Sequence, residues 1–160
     1  MRRGWFASLL GVAIVAIVTS GTASDLRARG ALLVVEDATR GRVLHRAPVE
    51  PGSHLVLSYV HSSEHVPVRG TFVVDADGAL AVKETAFAGF GPGLPEPRAG
   101  DAWRVENGMI VVPAGGERLP ELRVRVAPFT RHHLHMPSGD DVDLSALMNG
   151  GGSVSIRVTR

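Results

Sequence analysis

The chain contains no cysteine. Disulfides, thiolate nucleophiles, iron–sulfur clusters and cysteine-ligated zinc are therefore excluded, and an exported domain of this sequence has to be held by its core alone. A dominant charge is missing as well, with 17 Lys and Arg against 16 Asp and Glu. Losing Arg2 and Arg3 with an N-terminal leader would leave the rest nearly neutral, so neither nucleic acid nor an anionic membrane surface finds an electrostatic footprint. Helical periodicity is almost absent, as are internal repeats and low-complexity linkers. At 160 residues, the chain has room for about one domain.

What is present begins with a leader pattern. Met1-Arg2-Arg3-Gly4 precedes an apolar run from Trp5 to Val18, followed by the small residues Thr19-Ser20-Gly21-Thr22-Ala23-Ser24. That order of basic, apolar and small residues is that of a secretory signal, with cleavage expected after Ala23. The run is shorter than the ~20 residues that span a bilayer, so a cleaved signal over 1–23 is expected and a retained anchor is the alternative. A single β domain is expected over 24–160, periplasmic or secreted, touching the membrane only through an uncleaved leader or a membrane partner.

From Ala31 onward, apolar residues alternate with polar ones in short stretches separated by turn residues, the pattern of half-buried antiparallel strands. Leu55, Leu57, Tyr59 and His61 share one face of a strand over His54 to Ser62. Val66, Val68, Phe72 and Val74 do the same over Val66 to Asp75. Asp77-Gly78 and Asn107-Gly108 are hairpin signals, because these pairs accept the positive φ angles that tight turns need. Leu122, Val124 and Val126 alternate with Arg123 and Arg125, and Val154, Ile156 and Val158 mark a last strand. These readings predict an all-β domain, an antiparallel β-sandwich or flattened barrel of about eight or nine strands. One helical turn is expected around Asp143 to Met148, ended by Asn149 and the glycines after it.

The stretch from Ala88 to Ala102 has no periodicity and is dense in Gly and Pro. Loops of that length without structure of their own are often functional. Gly91 and Gly93 permit backbone paths closed to other residues, while Pro92 and Pro95 stiffen them. The loop could hold an anion, cover a pocket or simply cross between sheets.

Together, Tyr59-Val60-His61-Ser62, Val66-Pro67-Val68, the strand holding Phe72, the Asp77-Gly78 hairpin, Gly89-Phe90-Gly91-Pro92-Gly93-Leu94-Pro95 and the closing strand from Gly152 resemble the bacterial family catalogued as domain of unknown function 1850. Members resemble small exported or membrane-anchored proteins, often encoded beside the permease of TAXI-type tripartite, ATP-independent solute transporters. The resemblance implies a transport context, with a permease or substrate-binding subunit as partner, and supplies no reaction. His61, Ser62, Pro67, Val68, Phe72, Gly91, Gly93, Leu94 and Pro95 fall on the family pattern. Arg69 departs from it, standing where relatives commonly carry an acidic residue.

No catalytic or cofactor signature is complete, and no cofactor is expected. His61 and Ser62 are adjacent on a strand and so point to opposite faces, which prevents this histidine from activating this serine. Tyr59, His61, Ser62, Arg69, Gly91 and Gly93 are the candidate ligand-binding residues, a core-edge histidine bonded to backbone being the plain alternative for His61. In the cluster His132, His133 and His135, a strand would place His133 with His135 and turn His132 away with Leu134. Asp140, Asp141, Asp143, His61 or His65 could then complete a metal site, although the spacing matches no familiar ligand motif. Turn and cap duties account for the three aspartates. Arg123 and Arg125, with Arg131, could make a basic stripe for a partner or a carboxylate ligand, a solvated sheet face being the plainer reading. The expectation is a non-enzymatic exported accessory domain that binds a partner subunit or a small ligand; the alternative is a metal-dependent enzyme built on His61 and the His133/His135 face.

Overall fold

Period-two burial recurs along the strands and builds two facing sheets. The computed structural model describes residues 30–160, so the leader read over 1–23 lies outside the described residues. The strands are β1 (Ala31–Asp37), β2 (Arg42–Val49), β3 (His54–Val60), β4 (Pro67–Val74), β5 (Leu80–Phe87), β6 (Arg104–Glu106), β7 (Met109–Pro113), β8 (Arg118–Leu119), β9 (Leu122–Val126), β10 (His133–His135), β11 (Asp141–Asp143) and β12 (Gly152–Thr159). Among the described residues there is one α-helix, α1 (Leu144–Leu147), a single turn, and a 3-10 turn covers Pro128–Thr130.

One sheet has four strands in the order β2-β1-β12-β9. The other has eight, in the order β11-β10-β3-β4-β5-β7-β6, with β8 also pairing β5. The arrangement is a sandwich, and it does not close into a barrel. Its core is filled from both sides: Leu33, Val35, Val154 and Ile156 from the smaller sheet meet Leu55, Leu57, Phe72 and Leu134 from the larger one. Among the described residues twelve strands stand where about eight or nine were expected. Of the additional ones, β8 and β11 are only two and three residues long, too short for alternation to register.

Both hairpin signals act as read, with φ of 92° at Gly78, 51° at Asn107 and 76° at Gly108. The expected helical turn is α1, whose N-terminal amide at Ala146 is capped by the Asp143 carboxylate at 2.8 Å. Two consequences of the topology matter for the site. A four-stranded sheet cannot cover an eight-stranded one, and the edge of the smaller sheet, β9, leaves part of the inner face of β3, β4 and β5 open. The long loop after β5 folds back over the β3–β4 hairpin: Ala88 donates to the Pro67 carbonyl at 3.2 Å, and Phe90 packs edge-on against Phe87, with ring centroids 5.6 Å apart.

Candidate functional site

A cavity of about 300 Å³ lies between the sheets where β9 ends their overlap. Its apolar wall comes from Leu57, Val68, Phe72, Leu122 and Val124. The polar lining comes from Tyr59, His61, Ser62, Thr85, Arg125 and His132. Gly70 belongs to the wall because a Cβ there would come 3.0 Å from the Phe72 ring. The cavity is thus a mostly apolar concavity with a few convergent polar groups, the usual make-up of a small-molecule site.

His61 lies just past the end of β3, where it continues the inward face of Leu57 and Tyr59. Its backbone closes the hairpin, donating to the Val66 carbonyl at 2.8 Å and accepting from the His65 amide at 3.0 Å. The Glu64 amide, which can only donate, lies 3.3 Å from Nδ1. Nδ1 is therefore the acceptor, the neutral ring carries its proton on Nε2, and Nε2 donates to the Pro92 carbonyl at 3.0 Å. Gly91 makes this approach possible, since a Cβ there would stand 2.5 Å from Glu64 Cγ and 3.2 Å from His61 Cε1. The close packing, not a positive φ, demands glycine at 91. At Gly93 the φ of 82° makes the demand, and the space around it is open.

Ser62 is exposed at the turn and borders the same cavity as His61. The hydroxyl nearest His61 belongs to Ser63, 3.2 Å from Nδ1, and that hydroxyl donates to Glu64 Oε1 at 3.1 Å. With its lone pair and proton both engaged, the His61 ring serves here as a clamp between hairpin and loop.

His132 is buried and stacks on Tyr59, with centroids 4.8 Å apart and planes 5° apart. The Thr130 hydroxyl donates to the Ala127 carbonyl at 2.7 Å and accepts from the Ala127 amide at 3.0 Å. Its 2.8 Å contact with His132 Nδ1 is then made with the ring N–H as donor. That leaves the Nε2 lone pair of His132 without a partner among the described residues. Burial, assisted by neighbouring His133, pulls this imidazole down to about 4, so it is neutral near pH 7. Burial also pushes the Tyr59 phenol up.

Arg125 lies on the outer face of β9, as its alternation predicts, yet β9 is an edge strand and Arg125 also borders the cavity. Arg123 is held 3.0 Å from Glu121. Arg125 has no carboxylate partner among the described residues.

Of the expected ligand-binding residues, Tyr59, His61 and Ser62 line the cavity and Gly91 packs behind His61. Arg69 does not join them. It is exposed and alternates with Val68 and Gly70, which line the cavity, so it points from the opposite side of the sheet. There it stands beside Ser58, which in turn faces His133. His133 and His135 do share a face, with parallel rings 6.2 Å apart, and they bracket Asp141 Oδ1 at 3.1 and 3.4 Å. His61 and this pair thus occupy opposite faces of one sheet and do not converge on one ion. Among the described residues no group of three or more His, Asp or Glu side chains is arranged to hold a metal ion. Thr130 is the site residue that the sequence does not single out. The sequence marks Arg125 only within a basic stripe on the outer face, and His132 only by its pairing with Leu134 away from His133 and His135.

Residues 55–144 match the model of the family described as domain of unknown function (DUF1850), a span that includes the β3–β4 hairpin, the long loop and His132. No curated protein and no solved structure matches the chain.

Proposed function

The chain belongs to the DUF1850 family, and from that premise and the inter-sheet cavity we propose that it is a non-enzymatic, exported accessory domain that binds a small ligand in the service of a tripartite, ATP-independent solute transporter. The observation that carries the binding reading is the cavity itself: an apolar wall lined also by His132, Tyr59 and Arg125, whose Nε2, hydroxyl and guanidinium no described residue engages. Groups left without partners in a concave site are suited to an incoming ligand. The transport context rests on the family resemblance, and the exported address on the leader pattern.

A partner surface is a second component of the reading. Phe90, Trp103 and Val105 are 57%, 50% and 66% exposed, and all three lie on the long loop or the edge strand that follows it. An apolar, exposed surface of this kind suits a permease or substrate-binding subunit.

The test is co-expression of the full chain with the permease and substrate-binding subunits of a tripartite, ATP-independent transporter, followed by capture and mass spectrometry. The expected result is a protein beginning near Ser24 that co-purifies with a transporter subunit and shifts its melting temperature on exposure to solutes. Failure to co-purify, with no thermal shift from any solute, would remove the reading.

A further inference from the structure

The cavity's chemistry is specific enough to name a ligand class. Of its lining side chains, only Arg125 carries a fixed charge; no Asp, Glu or Lys lines it. Arg125 is exposed and sits at the mouth, whereas His132 is buried at the inner end. A guanidinium at a mouth without a carboxylate favours an anionic group and rejects an ammonium. At the inner end the neutral His132 presents an acceptor, which calls for a donor on the ligand. Between the two lies an aliphatic and aromatic wall.

Resting on the binding reading above, we infer that the ligand is a small organic acid with three parts: a carboxylate held by Arg125, an apolar body between the sheets, and a neutral hydrogen-bond donor such as a hydroxyl directed at Nε2 of His132. An amine donor is disfavoured because no carboxylate lines the inner end to balance its charge. A doubly charged group would meet one guanidinium where it needs more. The parallel Tyr59 and His132 rings form a flat inner surface that an apolar or aromatic body can lie against.

The experiment uses the mature protein and paired probes with the hydroxyl at the far end from the acid: 6-hydroxyhexanoate with its amide, and 3-(4-hydroxyphenyl)propanoate with its amide, together with hydrocinnamate, which keeps the acid and lacks the hydroxyl. Affinities are read by calorimetry and thermal shift. The hydroxyphenylpropanoate is expected to bind about tenfold or more tighter than its amide, as the loss of one charge-assisted hydrogen bond implies. Arg125→Gln is expected to abolish that preference while leaving amide binding in place. His132→Phe is expected to remove the preference for the hydroxyphenylpropanoate over hydrocinnamate. Equal binding of acids and amides, or an acid preference that survives Arg125→Gln, overturns the ligand class and leaves the binding reading standing. No binding by any probe at millimolar concentration overturns the binding reading and the ligand class with it.

Discussion

The Tyr59 ring lies face to face with the His132 imidazole, 4.8 Å between centroids, so the inner wall of the cavity joins β3 to the segment leading into β10. The Tyr59 hydroxyl has no partner among the described residues, so the ring and the hydroxyl have separable roles. Tyr59→Phe is expected to keep stability within ~0.5 kcal/mol, while Tyr59→Ala removes stacking and buried area and costs ~2–3 kcal/mol. Urea melts of the two variants decide this; equal losses would mean that the hydroxyl is structural.

Stability should fall on acidification through one identifiable group. The folded-state value of His132 is depressed from 6.5 to about 4, so between those values the unfolded chain binds the proton more readily. The contribution is fully present above pH 6.5, declines as pH falls toward about 4, and is absent below it. Denaturant midpoints measured across that range should drop more steeply for the parent protein than for His132→Gln. Parallel curves would show that His132 is not the titrating group.

Gly91 and Glu64 should be energetically coupled. Gly91→Ala places a methyl group against Glu64 Cγ and His61 Cε1 and is expected to cost ~1–2 kcal/mol as the loop shifts from the hairpin. Glu64→Ala removes the worse clash, so the double variant should be more stable than the sum of the single losses implies, a difference that a double-mutant cycle measures directly. Strict additivity would contradict the packing described here.

His61→Ala should loosen the loop more than it unfolds the domain. The ring clamps the Pro92 carbonyl with one hydrogen bond at 3.0 Å, worth ~1 kcal/mol, whereas Leu57 is a buried core residue whose truncation costs ~2–5 kcal/mol. Denaturant melts should therefore rank Leu57→Ala well below His61→Ala, while amide exchange at Leu94, whose N–H is bonded within the loop to Gly91, accelerates in His61→Ala alone. An equal loss of stability in both would make His61 a core residue and no more.

The local rules of the chain were legible because they act over a few residues. Period-two alternation sorted Leu122, Val124 and Val126 from Arg123 and Arg125, joined His61 to the Leu57 face, and separated His132 from His133 and His135. The positive φ at Gly78 and Gly108 followed from the turn chemistry of the Asp-Gly and Asn-Gly pairs. What alternation cannot convey is which strand lies beside which. The order β2-β1-β12-β9 makes β9 an edge, and for that reason Arg125, outward by its phase, also borders a cavity. The same absence of long-range information hid the placement of Arg69 with Ser58 and His133 on the far side of the sheet. It also hid the reason for glycine at 91, a contact with a hairpin far away in sequence. Secondary structure and the facing of each side chain were thus written into the residues by short-range sterics and burial. The cavity, its unpartnered groups and its single cation were decided by strand order, which depends on contacts between distant segments.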